Sequence, residues 1–154
     1  MIDKQRYVLD STALISCYPE MFGEPPQISN RSASIIHQAL AFEDSAILII
    51  PSIVFVEIHD KWFRGNSLQS EEFREKFRVE IFYPIQTAPN IEIRELDIEI
   101  LGVFLSLDDS QINLENHDKI VLATSSVLQA TLITSDRAIR RYNNRYHMVP
   151  NILE

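Results

Sequence analysis

Four acidic residues stand where their type and placement could do chemistry: Asp10 in YVLDST, Glu57 in PSIVFVEIHDKW, Asp118 in NHDKIVLATS and Asp136 in TLITSDRAI. Carboxylates crowded into one pocket repel unless they are protonated or bridged by a cation, so four that converge imply a metal site. Hard oxygen ligands with no cysteine among them suit Mg²⁺ or Mn²⁺, ions that typically keep several waters. The chemistry such a site supports is phosphodiester hydrolysis. A bound metal lowers the pKa of a water, neutralises developing negative charge and orients the leaving oxygen, so no nucleophilic side chain is required.

Each acid also has an ordinary explanation. Asp10 and Asp136 suit helix N-caps at strand-to-helix junctions. Asp118 complements the dipole of the helix it begins. Glu57 lies among Ile53, Val54, Phe55, Val56 and Ile58, and its ordinary reading is a solvent-facing stripe shared with Asp60, Lys61 and Arg64. Convergence on one edge is what would separate the two readings.

The elements that must position these residues are strands alternating with helices. Apolar runs at 7–9, 46–50, 90–93 and 131–134 read as strands buried on two faces, the second closed by Pro51. Helical periodicity marks 32–42, 52–64, 71–82, 95–107 and 117–129, most clearly where Leu96, Ile100, Val103, Phe104 and Leu107 recur. Parallel neighbours need a crossover and helices supply it, so the expectation is a three-layer α/β/α sandwich around a mainly parallel sheet. In such sheets ligands bind beyond the carboxyl ends of the strands, where all four acids fall. Segments 18–30, with Pro19, Gly23, Pro25 and Pro26, and 107–116 read as loops.

Composition narrows the class. With 154 residues, 45% of them hydrophobic, the chain is expected to form one domain over 1–154. Its apolar runs are too short to span a bilayer, and its N-terminus has no apolar core or cleavage site of a signal peptide, so a cytoplasmic location is expected. Cys17, the single cysteine, excludes an intrachain disulfide and reads as a buried structural thiol. The net charge of −8 argues against indiscriminate binding to nucleic acid, although a cation among clustered acids reverses the local field.

The strand ending in Asp10, the VEI stretch at Glu57, HDKIVLAT at Asp118 and LITSD at Asp136 together resemble the PIN-domain nucleases, which include the VapC-type toxins. HDxxxxAT followed by LITxD is the most specific part, and the motifs run from Tyr7 to about Tyr142. The resemblance implies a Mg²⁺- or Mn²⁺-dependent ribonuclease acting on single-stranded RNA, with Asp10, Glu57, Asp118 and Asp136 as catalytic metal ligands. It gives Thr134 an auxiliary role, holding Asp136 or a metal-bound water. An antitoxin protein and a homodimer enter as partners on the same ground. Two features depart from the pattern: Thr12 stands where many relatives carry Asn or Ser, and segment 65–83 is long.

Weaker signals surround this core. Lys61 and Arg64, one and two turns beyond Glu57, suit RNA phosphates. Arg137, Arg140, Arg141 and Arg145, interleaved with Tyr142 and Tyr146, suit phosphate gripping and base stacking or a solvated terminus equally well. His37, His59, His117 and His147 lack zinc-ligand spacing and read as surface or supporting residues, and Trp62 and Phe63 read as core or interface. An aspartyl-nucleophile phosphatase would want a second Asp where Thr12 stands, and a receiver domain would want paired acids. A phosphate loop would want glycine after a strand. The remaining rival is a catalytically silent PIN-fold module for RNA binding or assembly.

Overall fold

A computed structural model describes residues 4–41, 46–63 and 68–154. Five parallel strands form one sheet: β1 (Gln5–Leu9), β2 (Ala46–Pro51), β3 (Ile91–Arg94), β4 (Thr131–Ile133) and β5 (Ile152–Leu153), in the order β3-β2-β1-β4-β5. β1 lies at the centre because β2 and β3 are added on one side and β4 and β5 on the other. Tyr7 pairs with Leu48 across one edge and with Thr131 across the other. Val8, Leu9, Leu48, Ile49, Ile50, Leu132 and Ile133 are buried, as continuous apolar strands covered on both faces must be.

Helices flank the sheet as the alternating pattern implied. They are α1 (Ser11–Ser16), α2 (Pro19–Phe22), α3 (Asn30–Leu40), α4 (Ser52–Trp62), α5 (Leu68–Phe77), α6 (Tyr83–Thr87), α7 (Ile98–Ser106), α8 (Asn116–Leu128) and α9 (Arg137–Tyr146). α8 packs on β1, β2 and α4, and α7 packs on α8 through Ile100, Val103 and Phe104. α8 stops at Leu128 because Gln129 turns left-handed, with φ 48°. Ser125 Oγ then donates to the Ala130 carbonyl, and the Ala130 N–H to the Ser125 carbonyl.

The structure corrects several expectations. The 18–30 loop contains α2, opened by Pro19 in its first turn and closed by Gly23 at φ 66°. The helix expected to stop at 82, before Pro84, continues through it. A π-helical turn, Arg78–Phe82, joins α5 to α6, with the Tyr83 N–H bonded to the Arg78 carbonyl. Widening the helix there accommodates a proline that has no N–H to give and would clash with the carbonyl four residues back. α1, β5 and the helical form of 137–146 are additions. Arg64 and the C-terminal ends expected at 42 and 64 lie outside the described residues. No helix among those residues is long and apolar enough to cross a membrane.

Core burial and exposure separate sharply on these elements. Ile133→Ala, at the fully buried C-terminal end of β4, should destabilise the protein by about 2–5 kcal/mol through lost transfer energy and a residual cavity. Ile98→Ala, where the side chain is 84% exposed, should change stability by less than about 0.5 kcal/mol. Urea midpoints at constant m-value check both.

Candidate metal centre

The carboxyl edge of the sheet at β1 and β4 is the point where strand order reverses, and the cleft opens there. Asp10 follows β1 and caps α1, accepting from the Ala13 N–H at 2.8 Å through Oδ1. Asp136 follows β4 and caps α9, accepting from the Ile139 N–H at 3.0 Å. Asp118 sits in the first turn of α8, and Glu57 sits in α4. The four come from four separate elements and line one cavity of about 320 Å³, with Thr12, Lys61, Glu115 and His117. Capping and convergence therefore hold together, since each cap bond engages only one oxygen of a carboxylate that also lines the cleft.

Thr134 ties the centre together. Fully buried after β4, its hydroxyl donates to Asp10 Oδ2 and accepts from the Asp136 N–H at 3.0 Å. The contact thus holds Asp10 by its side chain and Asp136 by its backbone. Thr12 Oγ1 donates to Asp10 Oδ1 at 2.8 Å, so the residue that departs from the family pattern still supports the first acid.

Glu57 is only 7% exposed, so it does not belong to a solvent-facing stripe. Lys61 Nζ donates to its Oε1 at 2.7 Å, and His117 Nε2 lies 3.0 Å from the same oxygen and 2.9 Å from Glu115 Oε2. Burial alone would lower the Lys61 ammonium, but its bond to Glu57 and the charges of Glu57, Glu115 and Asp118 raise it. Glu57, His117 and Asp118 each offer a ligand atom, all within 4.8 Å of one another. His117 was missed as a site residue because zinc spacing is the wrong test. Its adjacency to Asp118 in the first turn of α8 was the available signal.

The remaining acids are less compensated. Burial pushes the Asp118 carboxyl up to about 7, helped by the charges of Asp136, Glu57, Asp10 and Glu115. Burial also pushes Asp10 up to about 6 against the hydrogen bonds from Thr134, Ala13 and Thr12 that favour its charged form. Carboxylates held close in a low-dielectric cleft fit a divalent cation, because its charge offsets both burial and mutual repulsion.

Other expected residues fall elsewhere. Trp62 packs edge-on against Phe22, with ring centroids 5.3 Å apart, and Phe63 is buried in the same aromatic cluster. The Cys17 thiol donates to the Ala13 carbonyl, and burial pushes it up to about 12, consistent with an inert structural thiol. Arg140 pairs with Glu154 at 3.1 Å. Tyr142 is buried, and its hydroxyl accepts from the Asp108 N–H at 2.9 Å. Tyr146 lies against it at 4.5 Å and donates to Asp108 Oδ2. Of the two readings open for these rings, burial takes Tyr142 out of base stacking, while Tyr146 is partly buried against it.

The architecture is the PIN-like α/β/α fold, a five-stranded parallel sheet with flanking helices and an acidic cleft at its switch point. Among solved structures, FitAcB from Neisseria gonorrhoeae superposes with a TM-score of 0.63 at 15% identity, covering 96% of each chain. FitAB bound to an IR36 DNA fragment gives 0.62 at 17%, covering 94% of this chain and 92% of the other. VapBC2 from Rickettsia felis, bound to a DNA fragment from its promoter, gives 0.63 at 17%, covering 97% and 98%. No protein-family model matches the sequence, and no curated protein matches it.

Two measurements probe the centre. In chelated protein, Asp10 and Asp118 bind protons more tightly when folded, because their folded pKa values of about 6 and about 7 exceed the ordinary 3.8. That stabilisation is complete below about pH 4 and is lost as pH rises through 6 and 7, so the melting temperature contribution should fall across that window. Asp118→Asn should flatten the fall, and parallel wild-type and mutant profiles would refute the cluster. Thr134→Val should destabilise by about 1–3 kcal/mol, because it orphans the Asp136 N–H and an Asp10 oxygen, while Thr134→Ser should retain most of the stability. Thermal melts read both.

Proposed function

We propose that this chain is a divalent-metal-dependent endoribonuclease of the VapC type, cleaving phosphodiester bonds of single-stranded RNA as the toxin of a toxin–antitoxin pair. The observation that carries the reading is the meeting of Asp10, Glu57, Asp118 and Asp136 in one cleft, where burial and neighbouring acids push the Asp10 and Asp118 carboxyls up. A fold shared with FitAcB and VapBC2 supports it.

Asp10, Glu57, Asp118 and Asp136 would hold Mg²⁺ or Mn²⁺, with His117 adjoining. Bound there, the ion supplies an activated water and charge neutralisation at the phosphate. The chain's own residues do the positioning. Thr134 and Thr12 aim Asp10 from both of its oxygens, and Thr134 holds the backbone of Asp136. Lys61 and His117 fix the Glu57 carboxylate, and the Lys61 ammonium adds positive charge at the rim where a phosphate would approach. An antitoxin partner follows from the two-component names of the neighbours, two of which were solved with DNA. A homodimer would cover the exposed apolar side chains of Ile98 and Leu105 on α7.

The test uses Asp10→Asn, which removes the charge yet keeps an oxygen for the α1 cap. Wild type with Mg²⁺ or Mn²⁺ should cut a labelled single-stranded RNA, EDTA should stop it, and the variant should lose at least about a hundredfold, the scale of one essential electrostatic contact. A fully active, pure Asp10→Asn protein would overturn the assignment. No metal-dependent cleavage by wild type would favour the silent RNA-binding or assembly module.

A further inference from the structure

α9 begins in the acidic cleft at its cap Asp136 and carries Arg137, Arg140, Arg141 and Asn144 along one side. Spacings of three, four and seven residues place these side chains on a single helix face, where they line a shallow surface cavity of about 510 Å³. The opposite face is spent on packing, with Ile139 and Tyr142 buried and Tyr142 tied to the Asp108 backbone. The arginines are therefore not needed to seat the helix. Arg140 is engaged by Glu154, whereas Arg137 and Arg141 are exposed and have no ion-pair or hydrogen-bond partner among the described residues. In a chain with 22 acidic and 14 basic residues, two unneutralised guanidinium groups one turn apart form a distinct feature.

We propose that Arg137 and Arg141, with Asn144 beyond them, form a phosphate track that guides single-stranded RNA out of the acidic cleft. This rests on the reading of that cleft as a ribonuclease centre. Guanidinium groups match phosphate oxygens through a planar, bidentate fork. Arg137 and Arg141 rise about 6 Å along the axis, and the face from Asp136 to Asn144 runs about 12 Å, room for about two nucleotide steps. Because Tyr142 and Tyr146 are locked in packing, the track reads backbone and not bases, so it sets the register of the strand without selecting its sequence. Net negative charge elsewhere repels the strand from the remaining surface, which makes this face the entry or exit path.

The experiment measures binding of a labelled single-stranded RNA oligonucleotide by fluorescence anisotropy, in EDTA so that the strand stays intact, between 50 and 200 mM salt. Wild type is compared with R137Q/R141Q and with R31Q/K76Q, a control that removes two exposed charges from α3 and α5. Loss of two phosphate contacts should lower the magnitude of the salt slope by about 1.4, equivalent to about 25-fold weaker binding at 0.1 M salt relative to a 1 M reference. The control should stay within about twofold of wild type. Equal slopes for R137Q/R141Q and wild type, or no RNA binding by wild type, would overturn the track. So would a double variant that loses affinity for polyglutamate and not for RNA, which would assign the face to an acidic protein. Cleavage by wild type with unchanged slopes would remove the track and leave the nuclease reading standing. A slope loss in protein that never cleaves with Mg²⁺ or Mn²⁺ would do the reverse.

Discussion

The parallel pairing of β1 with β4, Leu9 opposite Ile133, is the constraint on which the cleft depends. One residue beyond that pair on each strand stand Asp10 and Thr134, and their side chains meet as a direct consequence of register. Slipping the pairing by one residue would turn Thr134 to the other face and break its hold on Asp10 and Asp136. Continuous burial of Leu9, Leu132 and Ile133 on both faces keeps the register from slipping. The apolar core thus fixes a polar site that contributes nothing apolar itself.

That site concentrates like charge at a cost to stability. Glu57 is balanced by Lys61 and adjoined by His117, while Asp118 and Asp10 are driven toward their neutral forms by burial and by their neighbours. A chain selected only for stability would place apolar or singly paired residues there. Strained electrostatics in a cleft is a mark of function because the surrounding fold must over-determine it. Here the over-determination is visible: two helix caps, two threonine hydroxyls and one buried strand end all bear on Asp10 and Asp136.

α9 serves both sides of the molecule. Its cap Asp136 and Ala138 line the acidic cleft, its apolar face closes the core through Ile139 and Tyr142, and its basic face turns outward. Opposite charges are therefore arranged in sequence along one helix, acid at the cap and arginine from the next residue on. A helix cap favours the acid by its dipole, and the exposed flank leaves Arg137 and Arg141 open to solvent.

The alternating apolar runs determined the four main strands, the flanking helices and the edge at which the acids must gather, because buried parallel strands and helix periodicity are local patterns. The HDxxxxAT and LITxD stretches determined the family resemblance for the same reason, since one lies within a single helix and the other at a strand end. What required tertiary structure was everything set by distant partners. Proline 84 inside a continuous helix, the two-residue strand β5 and the packing of Tyr142 against Asp108 carry almost no local signal. The alternatives of cap and cleft residue for Asp10 and Asp136 were undecidable along the chain, and the fold shows that each caps its helix and also lines the shared cleft. His117 beside Glu57, sixty residues away in sequence, and the neutralisation of Arg140 by Glu154 were decided by the meeting of separate elements, where distance in space and not spacing in sequence sets the charge a side chain feels.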